Sequence, residues 1–92
     1  MKESTIQTQL IAYLRAKGYY VVKTVMASRA GVPDILVCIE GRFVGIEVKL
    51  EKNPPTRLQK YNFDLIEKAG GTAWVIHSIT ELKLHLAEYL ER

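Results

Sequence analysis

The chain contains one cysteine, Cys38, and three prolines among 92 residues. A lone thiol excludes an intramolecular disulfide, and without Cys or His companions at ligand spacing it gives no sign of a zinc site. Cys38 is instead expected to be a small buried hydrophobe within a strand. Low-complexity tracts and internal repeats are absent, and with 48% hydrophobic and 25% charged residues the composition is that of a folded protein rather than a disordered chain. Long apolar runs are missing as well. The stretch ILVCI is far too short to cross a bilayer, and the N-terminus lacks the apolar segment of a signal peptide. These absences lead us to expect a cytoplasmic protein with no membrane segment, residues 1–92 forming a single domain around one modest core. The net charge of +3 suits a polyanionic partner without demanding one.

Hydrophobic spacing predicts seven elements. Ile6, Leu10, Tyr13 and Leu14 recur at helical intervals, Ser4 and Gln7 have the spacing of a capping box, and Gly18 offers a stop. YYVVKTV is rich in β-branched and aromatic residues and reads as a strand, followed by a small, polar loop, MASRAGVP. A strand from Asp34 to Ile39, a corner at Glu40-Gly41-Arg42 and a strand from Phe43 to Leu50 read as a hairpin. Thr56 caps a second helix with apolar Leu58, Tyr61, Phe63, Leu65 and Ile66, ended by Gly70-Gly71. TAWVIH is a fourth strand, and Ser78 with Glu81 opens a last helix carrying Leu82, Leu86 and Leu90. The expected fold class is α/β, a mixed four-stranded sheet flanked by helices in the order αβββαβα.

The hairpin carries an unusual charge set. Glu47 and Lys49 alternate to the same face of their strand, about 7 Å apart. Residues paired across an antiparallel hairpin share a face, so a two-residue loop at Glu40-Gly41 brings Asp34 opposite Glu47, and one at Gly41-Arg42 brings it opposite Lys49. A three-residue loop without a bulge sends Asp34 to the other side. Glu3 lies in line with the inward stripe of the first helix and is expected to face the sheet. Gathered carboxylates repel one another and are costly to bury unpaired, so a cation must compensate. Lys49 supplies one charge, and Mg²⁺, held by one or two carboxylates with several waters retained, suits the remainder. A nearby lysine can then position or deprotonate an attacking water, which makes these the parts of a phosphodiester hydrolase. The same pattern also fits a plain cross-strand ion pair on a solvated face.

GVPDILVCIEGRFVGIEVK, with PPTRLQKYNFDLIEKAGG after it, resembles the VRR-NUC branch of the PD-(D/E)xK nuclease superfamily. The resemblance implies a restriction-endonuclease-like core and a metal-dependent, structure-selective DNA endonuclease. It assigns Asp34, Glu47 and the backbone carbonyl of Val48 to Mg²⁺ or Mn²⁺, and matches Lys49 to the catalytic lysine. Gln59 matches the family's site-arranging glutamine and Glu3 the acid of the first helix. Gln59 also completes a Thr56-x-x-Gln59 capping box, and Glu3 is equally an acid favoured by a helix N-terminus. Small stand-alone members are typically homodimers acting on branched DNA such as four-way junctions, so a junction substrate and a homodimer are expected. Leu82, Leu86 and Leu90, or exposed apolar residues of the second helix, are candidates for the interface, although their simpler role is packing on the sheet. Ser28, Arg29 and Gly31 precede Asp34 in the loop, and Lys52, Arg57 and Lys60 flank the other edge, placed to meet DNA phosphates. Trp74 and Tyr61 are expected in the core rather than as base-stacking platforms, and His77 and His85 receive no role. The rival reading is a non-catalytic DNA-binding module on the same fold.

Overall fold

The computed structural model describes residues 1–91. Its geometry is set by the hairpin. Ile35–Ile39 (β2) and Arg42–Val48 (β3) pair antiparallel, with Ile39 opposite Arg42 and Ile35 opposite Ile46. The loop is therefore Glu40-Gly41, and both residues take positive φ, 50° and 81°. A two-residue turn of that kind matches the twist of the flanking strands, and a glycine at its second position removes half of the steric cost. Of the registers open to the sequence, this one aligns position 34 with 47.

Tyr20–Lys23 (β1) pairs antiparallel with β2, and Thr72–Ile76 (β4) joins β3 in parallel, giving the order β1-β2-β3-β4. Three helices, Glu3–Ala16 (α1), Arg57–Lys68 (α2) and Ile79–Leu90 (α3), complete the αβββαβα order. The core lies on one face of the sheet. There Val21, Ile35, Val37, Ile39, Val44, Ile46, Val48 and Ile76 meet Ile6, Leu10 and Leu14 of α1 and Leu82, Leu86 and Tyr89 of α3. The other face carries the charge set at one end and is partly covered by α2.

Several local expectations fail for identifiable reasons. Ser4 is not a cap, because α1 already begins at Glu3 and its N-cap, Lys2, makes no side-chain bond. Strand β1 ends at Lys23, although Thr24 N–H still donates to Asp34 O at 2.8 Å, and Val25 and Met26 stand in solvent. Cys38 is exposed rather than buried, since its parity turns it to the face away from the core. Leu58 and Tyr61 are exposed as well: α2 points its inward stripe through Phe63, Leu65 and Ile66 with the buried Asn62. Trp74 does pack on the core, edge-on to Tyr89 and His85. Ser78 Oγ accepts from Glu81 N–H, but the Glu81 carboxylate reaches His77 rather than completing a box. No helix among the described residues is long and apolar enough to cross a membrane.

Candidate active site

The two-residue turn brings Asp34, Glu47 and Lys49 to one face at one end of the sheet. Asp34 lies just before β2, and its Oδ2 accepts from Val48 N–H at 2.9 Å, closing the ladder at that end. Glu47 is 3% exposed, among the most buried polar residues of the sheet. Its Oε2 accepts from Gln59 Nε2 at 3.0 Å and lies 3.9 Å from Lys49 Nζ. Its Oε1 is buried with no hydrogen-bond partner while the carboxylate is ionised; once protonated it can donate to Asp34. Burial, then the negative charge of Asp34, push the Glu47 carboxyl up from about 4.5 to about 8, with Lys49 opposing. Without a further cation the site thus holds a proton near neutral pH in place of a charge.

Gln59 serves two partners. Its Oε1 accepts from Thr56 N–H at 2.8 Å while Thr56 Oγ1 accepts from Gln59 N–H, a complete capping box. A backbone N–H can only donate, so the amide oxygen must face it and the NH₂ must face Glu47. The cap therefore orients the amide that donates to Glu47. Glu3 reaches the sheet, but its Oε2 accepts from Leu50 N–H at 3.3 Å, beyond Lys49. It braces the strand end rather than joining a three-acid cluster. Among the described residues no group of three His, Cys, Asp or Glu side chains converges to hold a metal ion. An ion here would take two carboxylates, a backbone carbonyl and water, which is how Mg²⁺ is commonly bound. The orphaned, buried Glu47 Oε1 and the suppressed ionisation of its carboxyl fit that donor set.

The phosphate-contact candidates fall into two groups. Ser28 and Arg29 are exposed on the loop before Asp34, and Lys52, Arg57 and Lys60 are exposed around the start of α2. Gly31 is turned inward: with φ 83° and Asn62 Nδ2 only 2.8 Å from where a Cβ would lie, any side chain there would be obstructed. Asn62, which the sequence reading passed over, donates through Nδ2 to Ala30 O at 3.1 Å and Leu58 O at 2.9 Å. It ties the loop to α2 and so fixes the approach to Asp34. Its signal was a polar residue on the inward stripe of an amphipathic helix.

This sheet order, with two acids and a lysine at the end of a β-hairpin followed by a glutamine-bearing helix, defines a PD-(D/E)xK-type nuclease fold of the VRR-NUC kind. The chain belongs to the archaeal Holliday junction resolvase (Hjc) family, whose model matches residues 2–92. A solved structure described as a VRR_NUC domain superposes with a TM-score of 0.84 at 27% identity, over 95% of this chain and 96% of the other. A VRR_NUC domain protein superposes at 0.83 with 21% identity, over 99% and 89%, a likeness of fold. No curated protein matches the sequence.

Proposed function

We propose that the protein is a metal-dependent endonuclease that hydrolyses phosphodiester bonds in branched DNA, four-way junctions foremost, and works as a homodimer. The observation that carries the reading is the orphaned Glu47 Oε1, buried beside Asp34 and flanked by Lys49 and Gln59. Membership of a family named for junction resolution supplies the substrate class. Asp34, Glu47 and the Val48 carbonyl would hold Mg²⁺ or Mn²⁺. Such an ion supplies Lewis-acid stabilisation of charge on the phosphodiester and lowers the pKa of bound water. Gln59 occupies Glu47 Oε2, which leaves Oε1 as the oxygen that would hold the ion. Lys49, largely shielded at the edge of the site, donates from Nζ to orient the attacking water and the hydroxide it becomes, the proton passing to bulk water. Ser28, Arg29, Lys52, Arg57 and Lys60 would hold the DNA backbone on either side by contacts that carry no sequence code.

A symmetric junction requires two cuts, hence two sites. Leu82 and Leu86 are committed to the core and Leu90 packs against it, so the last helix is a poor interface. The uncovered end of the site-bearing sheet face is the better one: Tyr20, Val22, Leu36, Cys38 and Phe43 line a shallow apolar surface there, with Tyr20 75% and Phe43 47% exposed. The test is cleavage of four-way, flap and linear DNA with Mg²⁺ or Mn²⁺, beside Phe43→Glu. The expected result is metal-dependent cutting of the junction in preference to linear DNA by a dimer. Phe43→Glu should sediment as a monomer and lose the paired cuts. Binding without cutting in either metal would leave the non-catalytic module, and a monomeric wild-type protein would remove the dimer.

A further inference from the structure

Two side-chain oxygens among the described residues are buried without a hydrogen-bond partner: Glu47 Oε1 and Thr24 Oγ1. They belong to one row of the sheet. Lys23 is opposite Ile35 and Ile35 opposite Ile46, so the next positions along the ladder align Thr24 with Asp34 and Asp34 with Glu47. The Thr24 N–H to Asp34 O bond extends the β1-β2 pairing to that row. Antiparallel partners share a face, so the Thr24 hydroxyl lies on the side of the sheet that bears both carboxylates, flanking Asp34 opposite to Glu47. A threonine in that setting is a cost to the metal-free fold, because a buried hydroxyl left unpaired has lost its water and gained nothing. A valine would fill the same volume without that penalty.

We infer that Thr24 is a positioning residue of the metal centre, its Oγ1 accepting a hydrogen bond from a water in the shell of the divalent ion held by Asp34 and Glu47. The inference rests on the proposed metal-dependent function and adds a residue from a third strand to it. Mg²⁺ and Mn²⁺ retain several waters when few protein ligands are present, and those waters need acceptors that fix their orientation. With Asp34 Oδ2 engaged by Val48 N–H and Glu47 Oε2 by Gln59, the hydroxyl is a free acceptor in the row.

The test compares wild type, Thr24→Val and Thr24→Ser by Mn²⁺ calorimetry and by thermal melting without metal. Thr24→Val is expected to bind Mn²⁺ about tenfold more weakly yet to melt higher than wild type when metal-free. Thr24→Ser should restore most of the affinity. A merely structural hydroxyl would move both readouts downward, and a lower metal-free melting temperature for Thr24→Val overturns the inference. Unchanged Mn²⁺ affinity in Thr24→Val, with wild type binding normally, overturns it alone. A wild-type protein that binds no Mn²⁺ removes the metal centre itself and this role with it.

Discussion

Lys49→Ala is expected to lower the single-turnover rate of junction cleavage by about 10²–10³-fold, the range for loss of one positioned donor to developing charge, while junction affinity changes little. The side chain is shielded, and among the described residues its ion-pair partner is Glu47 Oε2 at 3.9 Å. That separation is loose for a salt bridge whose purpose is stability, and an ammonium held there is free to address a water. DNA affinity depends instead on the exposed cations around the site, each a small part of a shared phosphate contact. Quench-flow cleavage beside a gel-shift titration in Ca²⁺ separates the two. A parallel loss of binding and cutting would show that Lys49 holds DNA rather than acting on water.

The second large effect is on stability against pH. In the folded, metal-free protein Glu47 keeps its proton up to about pH 8, whereas the unfolded chain releases it near 4.5. Between those values the native state binds more protons than the unfolded state, so stability falls as pH rises. The contribution is fully present below pH 4.5 and is lost as pH passes through about 8. Metal-free protein should therefore melt several degrees lower at pH 8 than at pH 5, about 4–8 °C for each kcal/mol in a domain of this size. Glu47→Gln should flatten that slope, since an amide cannot ionise. Mg²⁺ should reverse it for the wild type, because the ion requires the deprotonated carboxylate. Melts across pH with and without Mg²⁺ measure all three, and a metal-free slope unchanged in Glu47→Gln would assign it to other groups.

The hairpin made much of this site readable. Alternation placed Glu47 and Lys49 together, and the Glu40-Gly41 dipeptide supplied the turn that aligned Asp34. Gln59 was readable because its cap spacing and its family position coincide. Alternation did not tell which sheet face would be covered, so Cys38 was assigned to the core when the uncovered face holds it. The helix start was misjudged because Ser4 and Gln7 match a capping pattern that the chain enters two residues earlier. Asn62 left a signal, a polar residue on an inward helical stripe, but not its partner, Ala30, on a distant loop. Thr24 left none, since its alignment with Asp34 depends on strand pairing alone. Glu3 was correctly aimed at the sheet, but one bond to Leu50 N–H decides that it braces the strand instead of adding a third carboxylate.

Asp34 and Glu47 are proposed to bind a divalent ion together at the end of the hairpin. Electron paramagnetic resonance of free Mn²⁺ titrated with the protein at pH 8 measures this most directly. Saturable loss of the free-ion signal in the wild type, abolished by Glu47→Gln and by Asp34→Asn, is the predicted outcome; equal binding by all three proteins, or by none, would contradict it.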